Sequence, residues 1–128
     1  IPGMTILAPQ DPNEIKAAVR AMIEHEGPVY MRIGNPKISN ILPEKEFVIG
    51  KGTVLEDGED ITIISTGSTT EAALTAAKEL KERGISVRVI GMPTVYPLDT
   101  ELVEESAKKQ VLFLPLKSIM QKVDWEHL

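Results

Sequence analysis

The feature that most constrains this chain is the alternation of short β-branched runs with segments of helical period. Ile61–Ile64 is a short apolar run of the kind found in strands that are buried on both faces. Apolar residues at helical spacing follow it up to Leu80, and Val87, Val89 and Ile90 then indicate the next strand. Strands and helices that alternate at these lengths predict a mostly parallel sheet covered by helices on both sides. The fold class is therefore predicted to be α/β with three layers.

The start of the chain repeats this alternation on a smaller scale. Met4–Ala8 is a short apolar run, and Asp11 then supplies a capping residue with proline at the first helical position. The helix is predicted to end near His25, and Val29–Ile33 reads as the next strand. Residues 34–47 lose all periodicity amid asparagine and proline, which is typical of a connection between domains. We therefore predict a first section, residues 1–46, and a second section, residues 47–128.

Composition excludes several classes of function. The 128 residues carry a net charge of −5 with acidic and basic residues interleaved, so nucleic acid is not expected as a partner. The absence of cysteine removes thiol catalysis and thiolate metal sites, and His25 and His127 are too few to predict a metal cluster. No apolar run reaches the length of about 18 residues that a membrane span needs. These features predict a cytoplasmic protein without a membrane partner.

Arg32 is the first candidate for a binding residue. It lies near the end of an otherwise apolar strand, directly before the turn-forming sequence Gly34-Asn35-Pro36. Ligand sites in such sheets lie at the C-terminal ends of strands, and a guanidinium matches the oxygens of a phosphate. The alternative is a surface arginine that pairs with a carboxylate such as Glu26 or Glu44. The chemistry of the sequence leaves both interpretations open.

The turn at Gly67 and Ser68 is the second candidate. It joins a buried strand to the start of a helix, where unpaired N–H groups can bind an anion. The alternative is structural: Gly67 allows a tight turn and Ser68 caps the helix, with Glu71 at the spacing of a capping box. A single glycine lacks the spacing of a nucleotide-binding loop, which favours the structural interpretation.

Two blocks of sequence resemble the transketolases. The first resembles the last part of their pyrimidine-binding domain, and the second is similar to the C-terminal domain that follows it. Together the blocks cover residues 1 to about 110. The residues that carry the resemblance are Ile1–Met4, Pro9–Glu14 and Gly27–Arg32 in the first block, and Ile61–Ser68, Gly84–Ile90, Met92–Thr94 and Pro97–Asp99 in the second.

The resemblance implies a fold and a function. The fold would be a strand–helix–strand remnant of the pyrimidine-binding domain followed by a sheet of the transketolase C-terminal-domain type. The complete enzyme would transfer a two-carbon ketol group between sugar phosphates in the pentose phosphate pathway. It would work as a homodimer with thiamine diphosphate and Mg²⁺. Arg32 would then bind the phosphate of the sugar-phosphate substrate.

The same resemblance places the catalytic machinery elsewhere. The catalytic glutamate, the proton-handling histidines and the diphosphate–Mg²⁺ site of the family all correspond to positions upstream of Ile1. No catalytic residue and no metal ligand is therefore assigned to this chain, and neither cofactor is expected to bind it tightly alone. The chain should be inactive without the remainder of the enzyme or a separate N-terminal subunit.

Three alternatives remain open. Related thiamine enzymes, 1-deoxyxylulose-5-phosphate synthase and the beta subunits of 2-oxo-acid dehydrogenases, share the architecture. Arg32 and the sequence Met92-Pro93-Thr94 favour transketolase over them. A non-catalytic interaction module that binds an anion at Gly67 is a second alternative, and a structural remnant without a ligand is a third.

The tail, residues 111–128, departs from the family pattern. Val111–Leu114 is apolar enough for a further strand, and a short helix is predicted over residues 118–128. Codons permitted for the tail can spell the expected continuation when they are read in a shifted frame. We therefore hypothesise a frameshift after about Gln110, and the nucleotide sequence tests it: third bases that cannot encode the shifted peptide would exclude it.

Overall fold

The computed structural model of the chain describes residues 3–34 and 39–109, together with the backbone of the strand at 112–116. The strands in these residues are β1 (Thr5–Leu7), β2 (Val29–Met31), β3 (Thr53–Glu56), β4 (Ile61–Ser65), β5 (Val87–Gly91), β6 (Thr94–Tyr96) and β7 (Leu112–Leu116). The helices are α1 (Pro12–Glu24), α2 (Thr69–Glu82) and α3 (Thr100–Lys109).

The larger sheet confirms the predicted three-layer architecture. Its order is β3-β5-β4-β7, with β4 parallel to both β5 and β7, and with β3 antiparallel at one edge. Consecutive residues of β4 face opposite sides, as alternation along a strand requires. Ile63 packs with Ala73 of α2, whereas Ile64 lies in a second cluster against which Leu102 of α3 packs. Helices therefore cover both faces of a mostly parallel sheet.

The smaller sheet contains a strand that the sequence did not predict. Its order is β2-β1-β6, with β1 parallel to β2 and antiparallel to β6. The strand–helix–strand unit of the first section is confirmed by β1, α1 and β2. The third strand, β6, comes from the second section, so the two sections share this sheet.

Helix α1 begins and ends where its capping residues predict. The carboxylate of Asp11 accepts a hydrogen bond from the N–H of Glu14 at 2.8 Å, and Pro12 occupies the first helical position. His25 is the C-terminal capping residue, as predicted, and its Nε2 lies 3.3 Å from the hydroxyl oxygen of Thr5. The C-terminal end of the helix is thereby linked to β1, and its N-terminal end is capped.

The tail is described only in part. The strand predicted at residues 111–114 is confirmed by β7, which pairs with β4 in parallel register. The helix predicted over residues 118–128 lies outside the described residues. In the part of the chain that the structure describes, no helix combines the length and the apolar character needed to cross a membrane.

Candidate functional site

Arg32 lies immediately beyond the C-terminal end of β2, so the pairing of β2 with β1 sets its position. Its backbone N–H donates a hydrogen bond to the carbonyl of Leu7 at 2.8 Å, and the residue is partly buried. Within the described residues its guanidinium forms no ion pair with Glu26, Glu44 or any other carboxylate. An arginine held at a strand end without a carboxylate partner keeps its donors free for an anionic ligand.

The C-terminal end of β1 joins Arg32 to the second candidate position. Leu7 accepts the hydrogen bond from the backbone of Arg32. The carbonyl of the next residue, Ala8, accepts a hydrogen bond from the N–H of Gly67 at 3.0 Å. The N–H of Ala8 in turn donates to the carbonyl of Pro93 at 2.7 Å. The positions that the sequence suggested separately are thus bonded to consecutive residues of one strand end.

The turn at Gly67 has a structural explanation in this fold. Gly67 is buried with a φ of +55°, a conformation that favours glycine, and its N–H is already bonded to Ala8. The predicted capping box is wrong, because the side chain of Ser68 makes no capping hydrogen bond. The hydroxyl of Thr69 donates instead to the carbonyl of Thr66 at 2.7 Å. Anion binding at Gly67 and Ser68 stays a prediction.

A buried chain of polar side chains connects the two sections. The hydroxyl of Thr70 donates to Oε1 of Gln10 at 2.6 Å, and the hydroxyls of Thr70 and Ser65 are 2.9 Å apart. Gln10 is only 1% exposed, and its backbone N–H and side-chain amide both donate to the carboxylate of Glu14. A methyl group added at Gly91 would lie 2.4 Å from Gln10 Oε1, so a glycine is required for this close approach. We name Glu14, Gln10, Thr70 and Ser65 the polar relay.

Asp11 fixes the connection between the sections as well as the helix. Its second carboxylate oxygen accepts hydrogen bonds from the N–H groups of Ile41 and Leu42, at 3.0 and 2.7 Å. Asn13 adds a hydrogen bond from its amide to the carbonyl of Leu42 at 3.0 Å. Since Asp11 is 1% exposed, these bonds are shielded from water and hold the connection against the start of α1.

Burial raises the pKa of the Glu14 carboxyl above its ordinary value of 4.5, although hydrogen bonds from the side chain and the backbone of Gln10 act in the opposite direction. The folded protein therefore holds this proton more tightly than the unfolded chain does. The stabilising contribution of the protonated form is present below pH 4.5 and is lost as the pH rises through the raised pKa.

We expect the replacement Glu14→Gln to remove this pH dependence. Glutamine keeps an oxygen that can accept from the N–H of Gln10, but it cannot ionise in the buried position. The free energy of unfolding of the variant, minus that of the unchanged protein, should become more positive between about pH 4 and about pH 7. Urea unfolding at a series of pH values measures this difference. Glu79→Gln, on the exposed side of α2, is the control, and a difference that is flat with pH would contradict the expectation.

A separate cleft of about 750 Å³ lies between α1 and residues 44–49. Cations from α1, Lys16 and Arg20, face a wall that includes Glu44 and Glu46. Neither Arg32 nor Gly67 lines this cleft, and its mixed charge favours no single class of ligand. The site at the end of β1 is therefore defined by bonded contacts and not by this cleft.

Comparison with known proteins places this arrangement in a family. The family model described as "Transketolase, C-terminal domain" matches residues 50–117, which is more than half of the chain. The chain belongs to the transketolase C-terminal-domain family. The matched region begins just before β3 and contains α2, α3 and the whole of the larger sheet.

Two similar proteins of this family are much longer than the chain. The "Putative transketolase C-terminal section" of Methanocaldococcus jannaschii is 42% identical over 109 residues, which are 83% of this chain and 34% of that protein. A solved structure, "Split gene transketolase, inactive beta4 tetramer", superposes on this chain with a TM-score of 0.88 at 38% identity. The superposed region is 91% of this chain and 40% of the chain in that structure. The chain thus spans about a third of the length of the Methanocaldococcus jannaschii protein.

The relatives include both enzyme classes that the sequence left open. The chain is 36% identical to "1-deoxy-D-xylulose-5-phosphate synthase 1" of Geobacter sulfurreducens over 85% of its length and 18% of that protein. It is 37% identical to "2-oxoisovalerate dehydrogenase subunit beta" of Bacillus subtilis over 84% of its length and 35% of that subunit. Both classes of enzyme are thus similar to this chain over more than four-fifths of its length.

The described residues contain no group of three or more histidine, cysteine, aspartate or glutamate side chains that could hold a metal ion.

The polar relay is the feature that sequence reasoning missed, because the partner of Gln10 is Thr70, 60 positions along the chain. The sequence gives only a weak signal for the polar relay, which is the position of Gln10 between Pro9 and the capping residue Asp11. A glutamine that is buried at such a position needs a hydrogen-bond partner.

Proposed function

We propose that this chain is one section of a transketolase-like enzyme that transfers a two-carbon ketol group between sugar phosphates. In this proposal residues 1–46 end a pyrimidine-binding domain and residues 47–128 form the C-terminal domain. The observation that carries the proposal is Arg32, a partly buried arginine at a strand end with no carboxylate partner in the described residues. It supplies two donors in the geometry that a phosphate group accepts.

The cofactor belongs to another part of the enzyme in this proposal. Thiamine diphosphate, when bound with Mg²⁺, supplies the chemistry that carries the two-carbon unit. The described residues fit neither group, because they offer no metal-ligand cluster and the N–H of Gly67 is bonded to Ala8. We assign both to a complementary polypeptide, meaning the remainder of the enzyme or a separate N-terminal subunit.

The second section then has a definite task, which is to position Arg32. Leu7 holds the backbone of Arg32, and the neighbouring Ala8 is bonded to Pro93 and Gly67 of the second section. Gln10 anchors the same strand end to Thr70. A rigid clamp loses little conformational entropy when the substrate binds, which is why such anchoring favours catalysis. The homodimeric state and the cytoplasmic location that the sequence suggests are part of the same proposal.

Arg32, which we call the phosphate clamp, separates the three candidate enzyme classes by their substrates. A guanidinium for phosphate suits a transketolase or a 1-deoxyxylulose-5-phosphate synthase, because both act on phosphorylated sugars. It has no counterpart in 2-oxoisovalerate, which carries no phosphate. Assays that offer glyceraldehyde 3-phosphate as the acceptor, with either a ketose phosphate or pyruvate as the donor, would distinguish the first two enzymes.

Complementation tests the proposal directly. The chain alone should show no ketol transfer, whereas the chain co-expressed with the complementary polypeptide should show transfer that requires thiamine diphosphate and Mg²⁺. A spectrophotometric assay coupled to the aldose phosphate product measures the rate. Turnover by the isolated chain, or a stable complex with no transfer from any ketose phosphate, would contradict the proposed function.

A further inference from the structure

The polar relay is continuous, with each member within hydrogen-bonding distance of the next. Nε2 of Gln10 lies 3.0 Å from Oε1 of Glu14, and the hydroxyl of Thr70 lies 2.6 Å from Oε1 of Gln10. The hydroxyls of Thr70 and Ser65 are 2.9 Å apart, and Ser65 Oγ is 3.3 Å from the carbonyl oxygen of Ile90. Gln10, Thr70 and Ser65 are at most 1% exposed, so these groups must satisfy one another's hydrogen bonds.

The number of protons limits the directions of these hydrogen bonds. Each hydroxyl carries one proton and donates one hydrogen bond at a time. Ser65 has two acceptors in reach, Oγ1 of Thr70 and the carbonyl of Ile90. Thr70 likewise lies between Oε1 of Gln10 and Oγ of Ser65. The direction chosen at one end of the relay therefore decides the directions at the other end.

An ionised Glu14 sets one consistent arrangement. A carboxylate only accepts, so the side-chain amide of Gln10 donates to its two oxygens, at 3.0 and 3.2 Å. The amide oxygen then faces Thr70 and accepts its hydroxyl proton. Because that proton is used, Thr70 can only accept from Ser65. In this arrangement the protons of the relay point towards Glu14, and Ser65 does not donate to Ile90.

A protonated Glu14 sets the opposite arrangement. The neutral carboxyl group is a donor, and it can donate to the amide oxygen of Gln10 once the amide plane has turned over. The amide nitrogen then donates to Thr70, and the hydroxyl of Thr70 turns to Ser65. The proton of Ser65 is thereby directed to the carbonyl of Ile90, which is already within reach at 3.3 Å. Each group again has a partner, but the protons now point away from Glu14.

Gly91 leaves room for either orientation of the amide. A methyl group at this position would lie 2.4 Å from Oε1 and 2.8 Å from Nε2 of Gln10, so both ends of the amide lie close to the glycine. Without a side chain at Gly91, the amide plane can turn with no change in the backbone. The reversal otherwise needs only the rotation of two hydroxyl groups.

The surroundings of Glu14 allow it to gain a proton. Burial of the carboxyl is the largest influence and raises its pKa, and the nearby charge of Asp11 acts in the same direction, whereas Lys45 lowers the pKa. Glu46 and Lys51 line the same cavity of about 120 Å³ as Glu14 and Lys45. The acidic neighbours thus equal the basic ones in number. Glu14 itself is only partly buried, so its carboxyl can exchange a proton with the solvent.

We propose that the polar relay is a proton-dependent switch between the two sections. A proton that binds to Glu14 in the first section reverses the later hydrogen bonds of the relay, as far as Ser65 in the larger sheet. The reversal crosses from one section to the other at the contact of Gln10 with Thr70. The switch follows from the contacts of the relay and does not depend on the proposed function. It acts two residues beyond Ala8, at the strand end that also holds Arg32.

An NMR titration of the isotopically labelled chain tests the proposal. The carboxyl carbon of Glu14 reports its ionisation, the side-chain amide signals report Gln10, and the Cβ signals report Thr70 and Ser65. All of these signals should shift with one shared midpoint. In Glu14→Gln the three partners should lose this transition. Glu79→Gln, on the exposed side of α2, is the matched control and should keep it.

Thr70→Val separates a relay from a direct effect of charge. Valine keeps the shape of the side chain but removes the hydroxyl that links Gln10 to Ser65. In this variant Gln10 should still titrate with Glu14, whereas the transition at Ser65 should be lost. A Ser65 transition that persists in Thr70→Val would overturn the switch.

The unchanged chain decides the proposal even where a variant does not fold. If its Glu14 titrates while the Ser65 signal stays flat, the switch is overturned. Thermal unfolding by circular dichroism establishes that each variant is folded.

Discussion

Replacing Arg32 by alanine should lower kcat/KM for a sugar phosphate about 100-fold in the complex of this chain with the complementary polypeptide. Two charge-assisted hydrogen bonds to a phosphate contribute about 3 kcal/mol, and each 1.4 kcal/mol corresponds to a factor of about ten. The side chain is free to make them, because in the described residues it has no ion pair and its backbone is fixed by Leu7. Steady-state kinetics with a ketose phosphate donor measures the loss.

Two further variants make this result specific. Arg32→Lys keeps the charge but not the planar pair of donors, so it should recover only part of the lost activity. Arg83→Ala removes an exposed arginine at the C-terminal end of α2, and it should leave kcat/KM unchanged within about twofold. A loss in Arg83→Ala as large as the loss in Arg32→Ala would show that the effect is not phosphate recognition.

Replacing Asp11 by alanine should lower the free energy of unfolding by about 3 kcal/mol, and the melting temperature by about 10 °C. The carboxylate accepts hydrogen bonds from Glu14, Ile41 and Leu42, at 2.8, 3.0 and 2.7 Å. Its removal takes away the cap of α1 and leaves buried N–H groups on the connection without an acceptor. Thermal and urea unfolding monitored by circular dichroism measure the change.

Asp60→Ala is the matched control for this change. Asp60 also accepts a hydrogen bond from a backbone N–H, that of Ser86 at 2.8 Å, but it is exposed to solvent. Water can replace the lost acceptor there, so the cost should be about 1 kcal/mol or less. Equal destabilisation by the two changes would contradict the assigned role of Asp11 as a buried connector of the two sections.

The elements of the larger sheet were predictable because each follows from local periodicity. Ile61–Ile64 is a β-branched run long enough for a buried strand, and it corresponds to β4; Val87, Val89 and Ile90 lie in β5. Helix α3 spans Thr100–Lys109, and Pro97-Leu98-Asp99 directly before it is a local start signal. The cap at Asp11 was predictable for the same reason, since capping involves residues only three positions apart.

Features that depend on distant partners were not predictable. Strand β6 has three residues between two prolines, and it becomes a strand only because β1 lies beside it. Arg88 occupies a strand predicted to be apolar, yet it is 5% exposed, with its guanidinium 3.7 Å from the carboxylate of Asp57 and 3.8 Å from that of Glu105. Neither the pairing of short strands whose residues are 87 to 90 positions apart nor the ion pairs of a buried arginine leave a local pattern in the sequence.

The candidate site also has a part that was predictable from local sequence and a part that depends on distant partners. The location of Arg32 at a strand end was predictable from the apolar run before it, whereas the bonds that hold this strand end to Gly67 and Pro93 were not. The capping role predicted for Ser68 was wrong because Gly67 turns the chain towards Ala8, and the hydroxyl of Thr69 then bonds the carbonyl of Thr66. Local capping rules do not anticipate a contact from another section of the chain.

If this chain provides the phosphate clamp of an active site that another polypeptide completes, recognition of the substrate phosphate depends on Arg32. The ratio of kcat/KM for a ketose phosphate to kcat/KM for the same ketose without phosphate, in the complemented enzyme, measures this dependence. We expect the ratio to be large with Arg32 in place and to fall about 100-fold, towards unity, in Arg32→Ala. The same ratio in both enzymes would show that Arg32 does not bind the phosphate.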